Sequence, residues 1–141
     1  MRRPCRQTSG RVRVGCHKKL RSAFRWQISR KAPEHEEWIE ELIRAYPGEK
    51  WLERAVEKPP AGAEPEAWHA FYLRAWQVLR FDRQYGAFGG ETPISFMALD
   101  GYARRYGIEG EAFERFLAFV TALDDEWLEH VARSQSQKTD E

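Results

Sequence analysis

Apolar residues fall on helical spacings along most of the chain, in separable blocks divided by proline and glycine. Trp38, Ile39, Leu42, Ile43 and Tyr46 recur at i, i+1, i+4, i+5 and i+8, one face of a helix. Pro33 suits its first position, and Glu34, Glu36 and Glu37 put negative charge where a helix N-terminus favours it. Pro47-Gly48 ends this helix. Trp51, Leu52, Ala55 and Val56 repeat the spacing in a shorter second block. The two units look alike (WIEELI and WLERAV), but two are too few for a solenoid.

Lys58-Pro59-Pro60-Ala61-Gly62 breaks the pattern before a third helix that opens at Pro65. Its apolar stripe is wide: Trp68, Phe71, Tyr72, Ala75, Trp76 and Leu79. The pattern fails near Gly86, and Gly89-Gly90 mark a tight connection, with Phe88 as its expected anchor. Thr92-Pro93 is a start signal for a fourth helix, with Thr as N-cap and Pro at the first position. Ile94 to Tyr106 is apolar on more than one side, so this helix is expected to be buried or covered by a partner, and Gly107 fits its C-terminal cap. The last helix runs from about Glu111 to Arg133, with Phe113, Phe116, Leu117, Val120, Leu123, Trp127, Leu128 and Val131 on one stripe.

The ends break the rule. Residues 1–32 are rich in Arg, Lys, Ser and Gly and are expected to be disordered or loosely structured; Phe24, Trp26 and Ile28 alternate as in a short strand, without a partner strand. The polar residues 134–141 are expected to fray. The expected fold is therefore all-α: about five helices over residues 33–133, a disordered basic N-terminal arm and a disordered tail. Three of the six tryptophans, Trp68, Trp76 and Trp127, are assigned to the core.

Charge sharpens the division. The formal net charge is +1, yet residues 1–31 hold eleven Lys and Arg and no acid, leaving twelve basic and twenty-two acidic residues in the remainder. A basic arm precedes an acidic body. Both cysteines, Cys5 and Cys16, lie in the arm, which argues against a secreted disulfide scaffold and matches no zinc spacing. Arg2-Arg3 is followed by no apolar segment of the kind a signal peptide needs, and the run Phe116–Leu123 is far too short to span a bilayer. The expectation is a soluble, intracellular (cytoplasmic) protein with no membrane partner.

Chemistry is sparse. The four histidines form no metal-binding spacing, Ser95 has no nucleophile-elbow context, and the glycine-rich turn lacks the Lys-Ser/Thr of a phosphate loop. No catalytic, cofactor or metal site is expected. Asp124 stands out: at 100° per residue it falls inside the last helix's apolar stripe, where an unpaired carboxylate would cost several kcal/mol. Its candidate partners are Arg80, Arg83, Arg104, Arg105 and the free N–H groups near Thr92. A structural ion pair is favoured over a catalytic acid. Asp125 and Glu126 point away from it along the helix and are expected to form a solvated acidic face. The basic arm could hold nucleic acid through phosphates, with Phe24 and Trp26 stacking on bases, although the acidic body would repel the same polymer.

Residues Trp68–Leu128 resemble a phage-related family of unknown function encoded among the tail genes of long-tailed bacteriophages and prophages. The resemblance rests on Trp68, Ala70 and Trp76 before a glycine turn at Gly89-Gly90, and on Pro93, Ile94, Ser95, Phe96, Ala98 and Leu99 opening the next helix. Arg104, Arg105, Gly107 and Ile108 close that helix, and Phe113 and Leu123 follow. It covers about the last half of the chain and implies a role in tail morphogenesis, as a tail assembly chaperone or as the downstream half of one made by ribosomal frameshifting. The partners implied are tape measure or tube subunits. Residues 1–32 depart from the family pattern; a start codon assigned too early, or a frame normally entered by other means, would account for them. On this reading the protein is not an enzyme, and Trp38, Trp51, Phe96 and Tyr102 are the expected protein-binding aromatics. The alternative is a nucleic-acid-associated helical protein acting through residues 1–31.

Overall fold

The structure, a computed structural model, describes residues 14–30 and 33–139. These fold into six helices: α1 Val14–Ser29, α2 Pro33–Ala45, α3 Lys50–Ala55, α4 His69–Leu79, α5 Phe96–Arg105 and α6 Gly110–Thr139. Among the described residues there is no strand, only an isolated antiparallel bridge between Tyr85 and Glu91. The fold is an all-α bundle organised around α6, which packs on α1, α4 and α5, while α2 and α3 pack on each other. The core joins Leu20 and Phe24 of α1, Trp76 and Leu79 of α4, Leu99 of α5, and Phe116, Phe119, Val120 and Leu123 of α6. Each such side chain contributes about 1.5–3 kcal/mol when fully buried. Trp68 and Trp127 lie partly buried against this core, and Trp76 is within it.

Helix α1 is the main departure from the expected layout. The described part of the basic stretch is neither loose nor a strand. Cys16, Leu20, Phe24 and Ile28 follow one another every fourth residue and form a helical stripe against the core. The positions between them include Lys18, Lys19, Arg21, Ala23, Arg25 and Gln27, all strong helix formers. Trp26, which the alternating reading placed with Phe24, instead takes the Arg30 guanidinium over its ring at 4.4 Å. The remainder of the arm, residues 1–13 and 31–32, lies outside the described residues.

Boundaries shifted where local hydrogen bonding overrode the sequence signal. Helix α4 begins at His69 rather than Pro65, because Glu66–Trp68 form a turn in which the His69 N–H donates to the Glu66 carbonyl at 3.0 Å. Helix α5 is capped by Ser95, whose Oγ accepts from the Ala98 N–H at 3.2 Å, and not by Thr92. Thr92 lies three residues too early for capping, and its hydroxyl and its backbone N–H both donate to the Gln84 carbonyl. At the other end, Gly107 has φ +64°, its N–H reaches the Arg104 carbonyl, and the Ile108 N–H reaches the Ala103 carbonyl at 2.9 Å. This is a Schellman closure, which needs a left-handed residue.

Helix α6 continues to Thr139, through residues read as fraying tail; residues 140–141 lie outside the described residues. The hydroxyls of Ser134, Ser136 and Thr139 each donate back to the carbonyl four residues earlier, so they do not divert the backbone from the helix. Phe88 does not anchor the glycine turn. It is fully exposed, and backbone bonds close the turn instead, from the Gly86 N–H to the Gly90 carbonyl at 2.7 Å and from Gly89, at φ +82°, to Gly86 at 2.9 Å.

Candidate functional site

Helix α6 carries two buried carboxylates, Asp124 and Glu126, two residues apart. At 100° per residue they point to opposite flanks of the helix. Asp124 faces α4 and the segment leading into α5. Its Oδ1 accepts from Arg83 NH2 at 2.6 Å and from the Trp76 indole N–H at 3.1 Å, and its Oδ2 accepts from the Ile94 backbone N–H at 3.0 Å. Arg83 is itself buried and held at each of its three nitrogens: besides the NH2 bond to Asp124, its Nε donates to the Arg80 carbonyl at 2.7 Å and NH1 to the Thr92 carbonyl at 3.1 Å. The Thr92–Ile94 backbone thus gives the Thr92 carbonyl to the arginine and the Ile94 N–H to the aspartate. This network locks the α4–α5 connection to α6.

Of the four candidate cations, Arg83 is the one brought to Asp124. Arg80 lies over the rings of Trp127, Trp76 and Phe81 at 4.6, 4.9 and 5.2 Å. Arg104 pairs on the surface with Asp100 at 2.9 Å, and Arg105 is exposed. The cavity beside Asp124, lined by Pro93, Ile94, Leu99 and Val120, is about 20 Å³, room for about one water molecule and no substrate.

Glu126 faces α1. It is 0% exposed, where a solvated side chain was expected. Its Oε1 accepts from Arg21 Nε at 2.8 Å and Arg25 NH2 at 2.7 Å, and its Oε2 from Arg25 Nε at 2.9 Å. Burial pushes the carboxyl up, but the hydrogen bonds and charges of Arg25 and Arg21 outweigh it and hold Glu126 below the usual range; Arg25 is pushed up in return. The signal that could have exposed this site was present: Leu20-Arg21 and Phe24-Arg25 repeat an apolar-Arg pair at helical spacing. It was hidden by the basic composition around it.

A third polar cluster joins the start of α4 to α1. Lys19 Nζ donates to Glu66 Oε1 at 2.9 Å, and the Trp68 indole donates to Glu66 Oε2 at 2.7 Å. The Glu66 backbone N–H donates to His69 Nδ1 at 3.2 Å. His69 is 2% exposed, edge-on to the Trp68 ring at 4.2 Å, and its Nε2 is without a partner. With Nδ1 accepting, the proton of the neutral ring sits on Nε2. Burial lowers the His69 pKa, against the smaller raising effect of Glu66. Lys19 holds the Glu66 carboxyl below its ordinary value.

Apolar side chains outside the core gather on two surfaces. On α4 Phe71 and Val78 are exposed, as is Phe81 just past its end. On α5 Phe96 and Met97 are exposed, as is Tyr106 at its C-terminal cap. Phe96 meets Phe113 edge-on at 6.1 Å, and Tyr102 stacks on Phe116 at 5.5 Å. Tyr102 is half-buried, so of the four aromatics expected at a binding surface, Trp38, Trp51 and Phe96 are the exposed ones. Trp38 and Trp51 belong to the α2–α3 pair, whose cleft with Arg30 is lined by His35, Glu36, Ile39 and Val56. Among the described residues there is no grouping of three or more His, Cys, Asp or Glu able to hold a metal ion. No described helix is long and apolar enough to cross a membrane.

A family model described as phage tail assembly chaperone matches residues 51–129, more than half of the chain. The chain belongs to this family. No curated protein and no solved structure matches it significantly. The family segment takes in α3, α4, α5 and most of α6. Asp124 and all its partners lie inside the segment. Glu126 lies inside as well, whereas its partners Arg21 and Arg25 lie outside. A tail assembly chaperone acts on phage tail proteins, and the family assigns this chain to tail assembly.

Proposed function

We propose that the protein shields an aggregation-prone tail component, a tape measure or tube subunit, in the cytoplasm of the bacterial host and releases it during assembly, without catalysing a reaction. The observation that carries this reading is the set of apolar side chains exposed on helix faces inside the family segment, on α4 and α5. Contiguous exposed apolar surface marks interaction sites, and helix faces of this kind take an amphipathic segment through anchors at i, i+3 and i+7. Phe71 and Val78 stand seven residues apart on α4, and Phe81 follows three residues later, just past its end. Trp38 and Trp51 on the α2–α3 pair, and Phe96 on α5, extend the candidate contact surface, with Tyr102 supporting it from below. Asp124 and Arg83 hold that surface in shape and do not touch the partner.

The test is co-expression with a tape measure or tube subunit of the same phage or prophage. The wild-type chain is expected to keep the subunit soluble, and Phe96→Ser combined with Phe81→Ser to lose that effect while remaining folded. A subunit equally soluble with and without the protein would defeat the proposal. The nucleic-acid reading has less support, because Lys19, Arg21, Arg25 and Arg30 of the basic stretch are already paired with Glu66, Glu126 and Glu36 of the same chain. DNA affinity that falls steeply between low and moderate salt would restore it.

A further inference from the structure

The seat of α1 on α6 has the properties of a binding site whose occupant is supplied by the chain itself. Its apolar floor is Phe119 and Leu123 of α6 with Trp76 of α4, against which Phe24 sits edge-on at 4.8 Å. Its polar centre is Glu126. Every one of these residues belongs to the family segment, and α1 does not. The occupant is recognised by a repeated dipeptide: Leu20 and Phe24 enter the apolar floor, and the arginine after each reaches Glu126. Helix α1 is also a flank, with Lys18, Arg25, Gln27 and Ser29 exposed on its outer side.

We propose that this seat is a docking site for a basic amphipathic helix of a tail component, one bearing an apolar-Arg pair twice at four-residue spacing, and that α1 holds the site until such a helix replaces it. The proposal rests on the chaperone reading and specifies one of its surfaces. A buried carboxylate cannot be left without a cation, since the desolvation cost is several kcal/mol. The seat therefore cannot stand open, and one basic helix has to exchange for another. The geometry permits that exchange. Arg25 keeps its side chain 55% exposed while bound to the fully buried Glu126, so the pair is reached from the arginine side and opens when Arg25 swings out to solvent. An acidic or neutral amphipathic helix would fill the apolar floor but strand Glu126.

The probe is a synthetic sixteen-residue helix that carries Leu-Arg-x-x-Phe-Arg on an Ala/Gln scaffold and is otherwise unlike α1. Its control has both arginines replaced by glutamate. Added in excess to the full wild-type chain, the probe is expected to speed hydrogen exchange of the α1 amides about tenfold or more while the Phe119–Glu126 amides stay protected, and the control to do neither. Glu126→Gln is expected to weaken probe binding about tenfold, the loss of a charge-assisted pair. Unchanged α1 exchange at saturating probe, or equal action by the glutamate control, overturns the proposal. The wild-type exchange result decides the matter alone if Glu126→Gln does not fold. A tail subunit kept soluble while α1 stays protected sinks this inference and spares the chaperone reading. A subunit not kept soluble sinks the chaperone reading, and the probe result still stands on its own.

Discussion

Asp124 and Glu126 are two buried acids on one helix, and they are satisfied in different ways. Asp124 draws on residues 76, 83 and 94, all close to it in the chain's helical core and all inside the family segment. Its arginine is buried and itself held by two carbonyls. Glu126 draws on two arginines about a hundred residues away, both reaching in from a helix with a solvent-exposed flank. The first network is locked on every side. The second is strong at its centre and open at its rim. One flank of α6 is therefore built as scaffold, and the other as a seat with a replaceable occupant.

The largest expected effect falls on the locked side. Asp124→Ala strands the Arg83 guanidinium in the core together with the Trp76 and Ile94 N–H groups, and should cost about 3–5 kcal/mol. Urea denaturation with an unchanged slope measures it; a loss below about 1 kcal/mol would erase the contrast with Glu126. Glu126→Gln should cost less, about 1–2 kcal/mol, because the freed arginines can hydrate where they stand. Hydrogen exchange should rise in α1 alone; a rise spreading to the Asp124 network would show the two flanks to be a single unit.

Acid offers a sharper separation. The folded-state pKa of Glu126 lies below its unfolded value, so the folded chain binds fewer protons and the contribution is complete above about pH 4.3. It is lost as pH falls through the folded value, and α1 exchange should rise more over that window in the wild type than in Glu126→Gln, where only Glu66, which Lys19 of α1 also holds low, is left to titrate. His69 acts at higher pH. Its folded pKa is lowered, so stability is expected to decline as pH falls below about 6.5, and His69→Gln should flatten that decline. A decline that survives the substitution assigns the effect elsewhere. The smallest change in stability, within about 0.5 kcal/mol, is expected for Trp38→Ser and Trp51→Ser, whose rings are exposed. Any loss of tail-subunit binding in these variants then reports on contact rather than on folding.

Periodicity made most of the family segment legible. The stripe around Trp68–Leu79 and the stripe around Phe113–Val131 are the helices that build the core, and Asp124 was visible because a charge inside an apolar stripe contradicts its surroundings. Glu126 left no such mark. It sits beside Asp125 in an acidic run, and its burial depends wholly on α1, whose apolar positions are diluted by lysine and arginine. Compositional bias concealed a helical period that Leu20, Phe24 and Ile28 carry plainly. Thr92-Pro93 misled in the opposite way: as a dipeptide it signals a helix start, but the Gln84 carbonyl and Asp124 had already claimed the neighbouring N–H groups. A local capping signal holds only while the groups it would use are free.

The pairing of α1 with α6 also has a consequence in time. Arg21 and Glu126 are 105 positions apart, so the first described helix is made long before its partner exists. At about 5–20 residues per second, roughly five to twenty seconds of synthesis separate the two. During that interval the apolar-Arg stripe of α1 has no seat, and the nascent chain presents it to whatever is nearby. Closure of the bundle is a late event, completed only after most of α6 has left the ribosome.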